Sequence, residues 1–139
     1  MKLALRTHPD SGVWSHEFAA WVIKARLVTK YPHAGIVIGD RLYHATAASG
    51  VIDEPFVNNG NWVLKEYGGD DSYAVELYNQ RKGRKYDWLS LIAFAGIKAT
   101  DSSRDYCYEL AFFMMTGKLA RSRVTVEMLL DIASPDCKV

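Results

Sequence analysis

Apolar positions along the chain change period twice, dividing it into a helical zone, a strand zone and a second helical zone. Phe18, Trp21, Val22, Ala25 and Val28 recur at helical spacing and predict a helix over 18–28. Ser15 stands where an N-cap is wanted, and Tyr31-Pro32 predicts the stop, because the residue before a proline avoids the α region. The next runs are short, β-branched and separated by turn residues. Residues 34–38, Ala-Gly-Ile-Val-Ile, lie between Pro32 and Gly39-Asp40 and predict a buried strand with a tight turn after it. Residues 42–45 predict the return strand of a hairpin, 50–52 a third short strand and 62–67 a fourth, with a turn at Asn58-Asn59-Gly60-Asn61. Residues 72–80 fit helix and strand equally, and Lys82-Gly83-Arg84-Lys85 predicts a loop. Beyond it, 88–99 and 105–116 are apolar around most of their circumference and predict two buried helices. Gly117 closes the second in C-cap fashion, and 126–132 predicts a last short helix ended by Ser134-Pro135. The order is helix, small antiparallel sheet, helices. The expected fold class is therefore α+β, with the sheet packed against the helices, not alternating β-α units.

Composition narrows this picture. A chain of 139 residues with no repeat and no linker has room for a single domain, 1–139. At 49% hydrophobic and 24% charged it has the makings of an ordinary core. Lys and Arg total 17 against 16 Asp and Glu, a net charge of +1, so no nucleic-acid partner is expected. Two cysteines, Cys107 and Cys137, exclude a disulfide framework and a four-cysteine zinc site. The apolar stretch at the N-terminus is broken by Lys2 and Arg6 and is too short for a signal peptide. The longest apolar run, 89–97, falls short of the ~20 residues that span a bilayer. The expectation is a cytoplasmic protein with free thiols, no transmembrane segment and no cofactor.

Three residues carry candidate chemistry. Cys107 falls in the first turn of the helix predicted over 105–116, where the helix dipole favours a thiolate. The competing reading is a small buried hydrophobe. His33 opens the strand 34–38, at an edge where an imidazole can act as general base toward a thiol. His44 lies on the return strand, eleven residues on. Adjacent strands run about 4.8 Å apart, so the two imidazoles meet if they share a face. His44 is then placed to hold His33 in one tautomer, with Asp40 in the turn as the alternative orienting group. One Cys and two His also match zinc ligand chemistry, but no short-spaced ligand pair anchors such a site. Tyr86 stands ahead of the buried helices and has a hydroxyl able to donate to a developing oxyanion, the competing and commoner reading being a buried tyrosine at a helix entry. Arg81, Lys82, Arg84 and Lys85 read as a solvated basic loop, and His8, His16 and Cys137 as peripheral.

Taken together, these residues resemble a known family. The block Tyr31-Pro32-His33-Ala34-Gly35-Ile36-Val37-Ile38-Gly39-Asp40, followed by Leu42-Tyr43-His44-Ala45 and Gly50-Val51, is similar to the histidine block of permuted NlpC/P60 papain-like proteins. Tyr106-Cys107-Tyr108-Glu109-Leu110 is similar to the cysteine segment of that family, and Tyr86-Asp87-Trp88 to the stretch that precedes it. The histidine strand comes before the cysteine helix, as in the permuted group and its lecithin-retinol-acyltransferase-like branch. The resemblance covers roughly residues 21 to 114. It implies a circularly permuted papain-like fold and a cysteine hydrolase or acyltransferase, with Cys107 as nucleophile, His33 as base and His44 as third residue. The implied substrates are peptides, isopeptides, lipids or small amides. Compact size without a wall-binding module would suit a phage-encoded or accessory protein. Tyr108 stands where the family has serine. With Tyr86 and Trp21, which would wall the cleft, it completes the residues expected near oxyanion or substrate.

Overall fold

The strand that organises the sheet lies where the hydrophobic pattern predicts none. In the computed structural model Lys2–Arg6 forms β1, and Leu3, Ala4 and Leu5 are wholly buried. Three consecutive apolar residues show neither period. They are what a strand covered on both faces needs. The structure describes residues 1–7, 31, 33–46, 49–86, 104–105, 107–120 and 124–134. The helices predicted over 18–28 and 88–99 lie outside them, as do Trp21, His8, His16 and Cys137.

The other strands follow the predicted order: β2 (His33–Ile38), β3 (Arg41–Thr46) and β4 (Gly50–Pro55) are longer than predicted, and β5 (Trp62–Glu66) is one residue shorter. They form an antiparallel sheet in the order β4-β3-β2-β1-β5. The hairpin register is set at the β2–β3 turn, where Gly39 takes φ +60°, a conformation that costs glycine little. That register pairs Ile36 with Tyr43.

The segment that fits helix and strand equally is α1 (Asp71–Arg81). Its buried residues, Ala74, Leu77 and Tyr78, stand three and four apart. Asp70 caps it, accepting from the Tyr73 N–H at 3.0 Å. The cysteine helix, α2 (Cys107–Thr116), begins two residues later than the sequence predicts. Arg104–Asp105 instead forms β7, parallel to β6 (Lys85–Tyr86). Gly117, at φ +70°, ends α2 with its N–H on the Phe113 carbonyl. The last helix, α3 (Val126–Ala133), is capped by Thr125.

The sheet has two unlike faces because side chains alternate along each strand. Leu3, Leu5, Ala34, Ile36, Tyr43, Ala45 and Val51 join the three helices in the main core. Ala4, Val37 and Leu42 form a second cluster with Phe56, Trp62 and Leu64. The fold is thus α+β, as expected. Among the described residues no helix is long and apolar enough to cross a membrane.

Candidate active site

The two histidines meet. His33 is the first residue of β2, and His44 lies on β3 opposite Gly35 by extension of the hairpin register. They share the face of Val37 and Leu42, and His33 Nε2 lies 2.7 Å from His44 Nδ1. Glycine at 35 makes room for this. A Cβ there would sit 2.7 Å from Leu42 Cδ1 and 3.1 Å from the His44 Cβ. The His44 ring is buried, at 4% exposure. On its far side Nε2 stands 2.8 Å from Glu54 Oε1 on β4, without an in-line hydrogen bond. Sequence reasoning passed over Glu54. The available signal was its place two residues beyond Ile52, which pairs with His44 and so puts position 54 on the same face.

Asp40, the alternative orienting group, is exposed in the β2–β3 turn, at the opposite end of β2 from His33. The histidine that contacts His33 is His44. Aromatic and cationic side chains continue the row. Trp62 lies edge-on to His33 at 6.1 Å between centroids, and the Arg6 guanidinium sits 5.2 Å from the Trp62 ring. Arg6 is the register partner of both His33 and Trp62.

Cys107 opens α2 and is fully buried. Its helix packs across β2 and β3, the strands that carry the two histidines. Along β2, Ala34 and Ile36 face that helix while His33 points to the other face. The chain ahead of His33 is nonetheless tied to the start of α2. The Tyr108 hydroxyl, next to Cys107, donates to the carbonyl of Tyr31, two residues before His33. Tyr108 itself is wholly buried, so its hydroxyl serves this tether and its ring serves the core. Tyr86 belongs to β6, and its backbone lies opposite Asp105, two residues before Cys107. Trp21 lies outside the described residues.

A second polar cluster lies on the helix face of the same hairpin. Asp53 accepts from Tyr78 Oη at 2.7 Å and from Arg41 Nε at 2.8 Å, and Lys82 Nζ lies 3.4 Å away. The Tyr78 bond, above all, holds the Asp53 carboxyl below its ordinary range, against an opposing push from burial, with Arg41 and Lys82 adding to it. Burial, and then Asp53, push the Tyr78 phenol well up. This cluster clamps α1 to the sheet. Among the described residues, no group of three His, Cys, Asp or Glu has the geometry of a metal site.

No protein-family model matches the chain, and no curated protein matches it significantly.

Proposed function

We propose that this protein is a cysteine hydrolase or acyltransferase on a permuted papain-like fold, acting through Cys107, His33 and His44. The observation that carries the reading is the 2.7 Å contact between His33 Nε2 and His44 Nδ1, on a sheet whose opposite face packs against the helix that begins at Cys107. The proposal assigns the thiol proton to Nδ1 of His33, the ring nitrogen that does not face His44. The tether from Tyr108 to Tyr31 supports an approach of thiol and imidazole around the first residue of β2, not through the sheet. His33 takes the Cys107 proton, and the thiolate attacks an amide or ester carbonyl. The new C–S bond gives a tetrahedral oxyanion, for which the backbone N–H of Cys107 is the proposed donor. Collapse breaks the bond to the leaving group, which takes the proton from His33, and leaves a thioester. Water or a second acceptor then releases the acyl group. Peptides, isopeptides, lipids and small amides all present such a carbonyl, and cytoplasmic action is part of the proposal.

Full burial of Cys107 favours a second reading, in which the chain is a binding module and the thiol is a core side chain. Trapping separates the two. Incubation with a p-nitrophenyl ester, followed by peptide mass analysis, is expected to show an acyl group on Cys107. The adduct should vanish in Cys107→Ser and form more slowly in His33→Ala. Absence of any adduct on Cys107 in the unaltered protein contradicts the enzymatic reading.

A further inference from the structure

We propose that Glu54 is a positioning residue that sets the tautomer of His44 and, through it, that of His33. The inference deepens the catalytic reading above and rests on it for its functional meaning, but the tautomer claim stands on geometry alone. Two neutral imidazoles joined by one contact have two proton arrangements. In the first, His44 carries its proton on Nε2, its Nδ1 accepts from His33 Nε2–H, and His33 Nδ1 is a lone pair. In the second, His44 Nδ1–H donates to His33 Nε2, and His33 carries its proton on Nδ1. Only the first leaves a base at the nitrogen proposed to face the thiol.

Glu54 decides between them. Its Oε1 lies 2.8 Å from His44 Nε2, too close for an intervening water. A lone pair on Nε2 would face a carboxylate oxygen at that distance and be repelled by it. A proton there is attracted even though the contact is not in line. The carboxylate therefore selects the first arrangement. The effect is not wholly screened, because the His44 side chain is 5% exposed although that of Glu54 is 49% exposed. Among the described residues, charged and titratable groups approach from several elements. Glu54 approaches from β4, His33 from β2 with Arg6 beside it on β1, and Cys107 and Glu109 stand in the first turn of α2. Asp53 and its partners Arg41 and Lys82 gather around Tyr78 on the helix side.

Long-range proton–nitrogen correlation spectra of the histidine rings test this directly. They are recorded at pH 8, where an ordinary imidazole is neutral. In the unaltered protein both His33 and His44 should be protonated on Nε2. In Glu54→Ala the second arrangement should become populated, with Nδ1–H signals on both rings. Glu54→Gln, whose amide oxygen can occupy the place of Oε1 by facing an Nε2–H, should restore the first. Glu54 is on an edge strand and half exposed, so both variants should keep the amide spectrum of the fold. Unchanged single tautomers in Glu54→Ala overturn the proposal. Alkylation of Cys107 at pH 6 provides the functional readout, with an expected loss of about tenfold in Glu54→Ala and recovery in Glu54→Gln. If the tautomers shift as stated while Cys107 shows no low-pH reactivity in any of these proteins, the role of Glu54 holds and the nucleophile reading falls.

Discussion

Gly35 shows how one missing side chain shapes the candidate site. It stands opposite His44, and a Cβ would meet Leu42 Cδ1 at 2.7 Å and the Tyr43 carbonyl at 3.0 Å. The carbonyl belongs to the hairpin backbone and cannot swing aside. Gly35→Ala is expected to destabilise the fold by about 1–3 kcal/mol, the usual cost of overpacking, and to push the two imidazoles apart. Denaturant unfolding and the ring-nitrogen shifts of His33 and His44 check both effects. The histidine pair itself was legible in the sequence. A strand, a two-residue turn and a return strand fix the register, and the register puts positions 33 and 44 on one face. The carboxylate at 54 was not, because position 52 read as the end of the third strand, whereas β4 runs on to Pro55. Tyr108 was placed near substrate because it follows Cys107 where the resembled family has serine. On a helix that is buried nearly all round, adjacency does not tell which way a side chain points.

At the scale of elements, α1 is held to the hairpin by the Asp53 cluster. Tyr78→Phe removes the 2.7 Å bond but leaves Asp53 with Arg41 and Lys82, so a loss of only about 1 kcal/mol is expected by denaturant unfolding. The cluster also gives a pH dependence. The Asp53 carboxyl lies below its ordinary value of about 4 in the folded chain, so its contribution is fully present above that value. It is lost as pH falls through the lower folded value, because the unfolded chain then binds the proton more readily. Asp53→Asn is expected to lower Tm at neutral pH and to flatten its fall below about pH 4. An equally steep acid fall in the variant contradicts this. The helix α1 itself could not be read from period, because only Ala74, Leu77 and Tyr78 are buried among polar neighbours. Its cap at Asp70 was the better signal. The start of α2 was misjudged by two residues because a parallel pairing with β6, distant in sequence, claims Arg104–Asp105.

For the whole molecule, β1 matters most. It is bonded to β2 on one side and β5 on the other, so the sheet has no continuous order without it. Removing residues 1–6 is expected to abolish cooperative unfolding, and Leu5→Ala to cost about 2–5 kcal/mol from a fully buried site. A truncated chain that still melts cooperatively near the original Tm would contradict the topology. Strand number and order were beyond the sequence pattern. Nothing in a short apolar run says whether it pairs on one side or two, and β1 joins partners more than twenty residues away. The α+β class was legible because the short β-branched runs of β2 to β5 give way to the helical zones that hold α2 and α3.

Whether the histidine pair serves a nucleophile is tested most directly by the pH dependence of Cys107 alkylation, followed peptide by peptide in a Cys137→Ser background with and without His33→Ala. Reactivity should titrate well below the ordinary cysteine value of about 8.5 and lose its low-pH portion in His33→Ala. The same ordinary or slow titration in both proteins would contradict it, leaving Cys107 as a core side chain of a binding module.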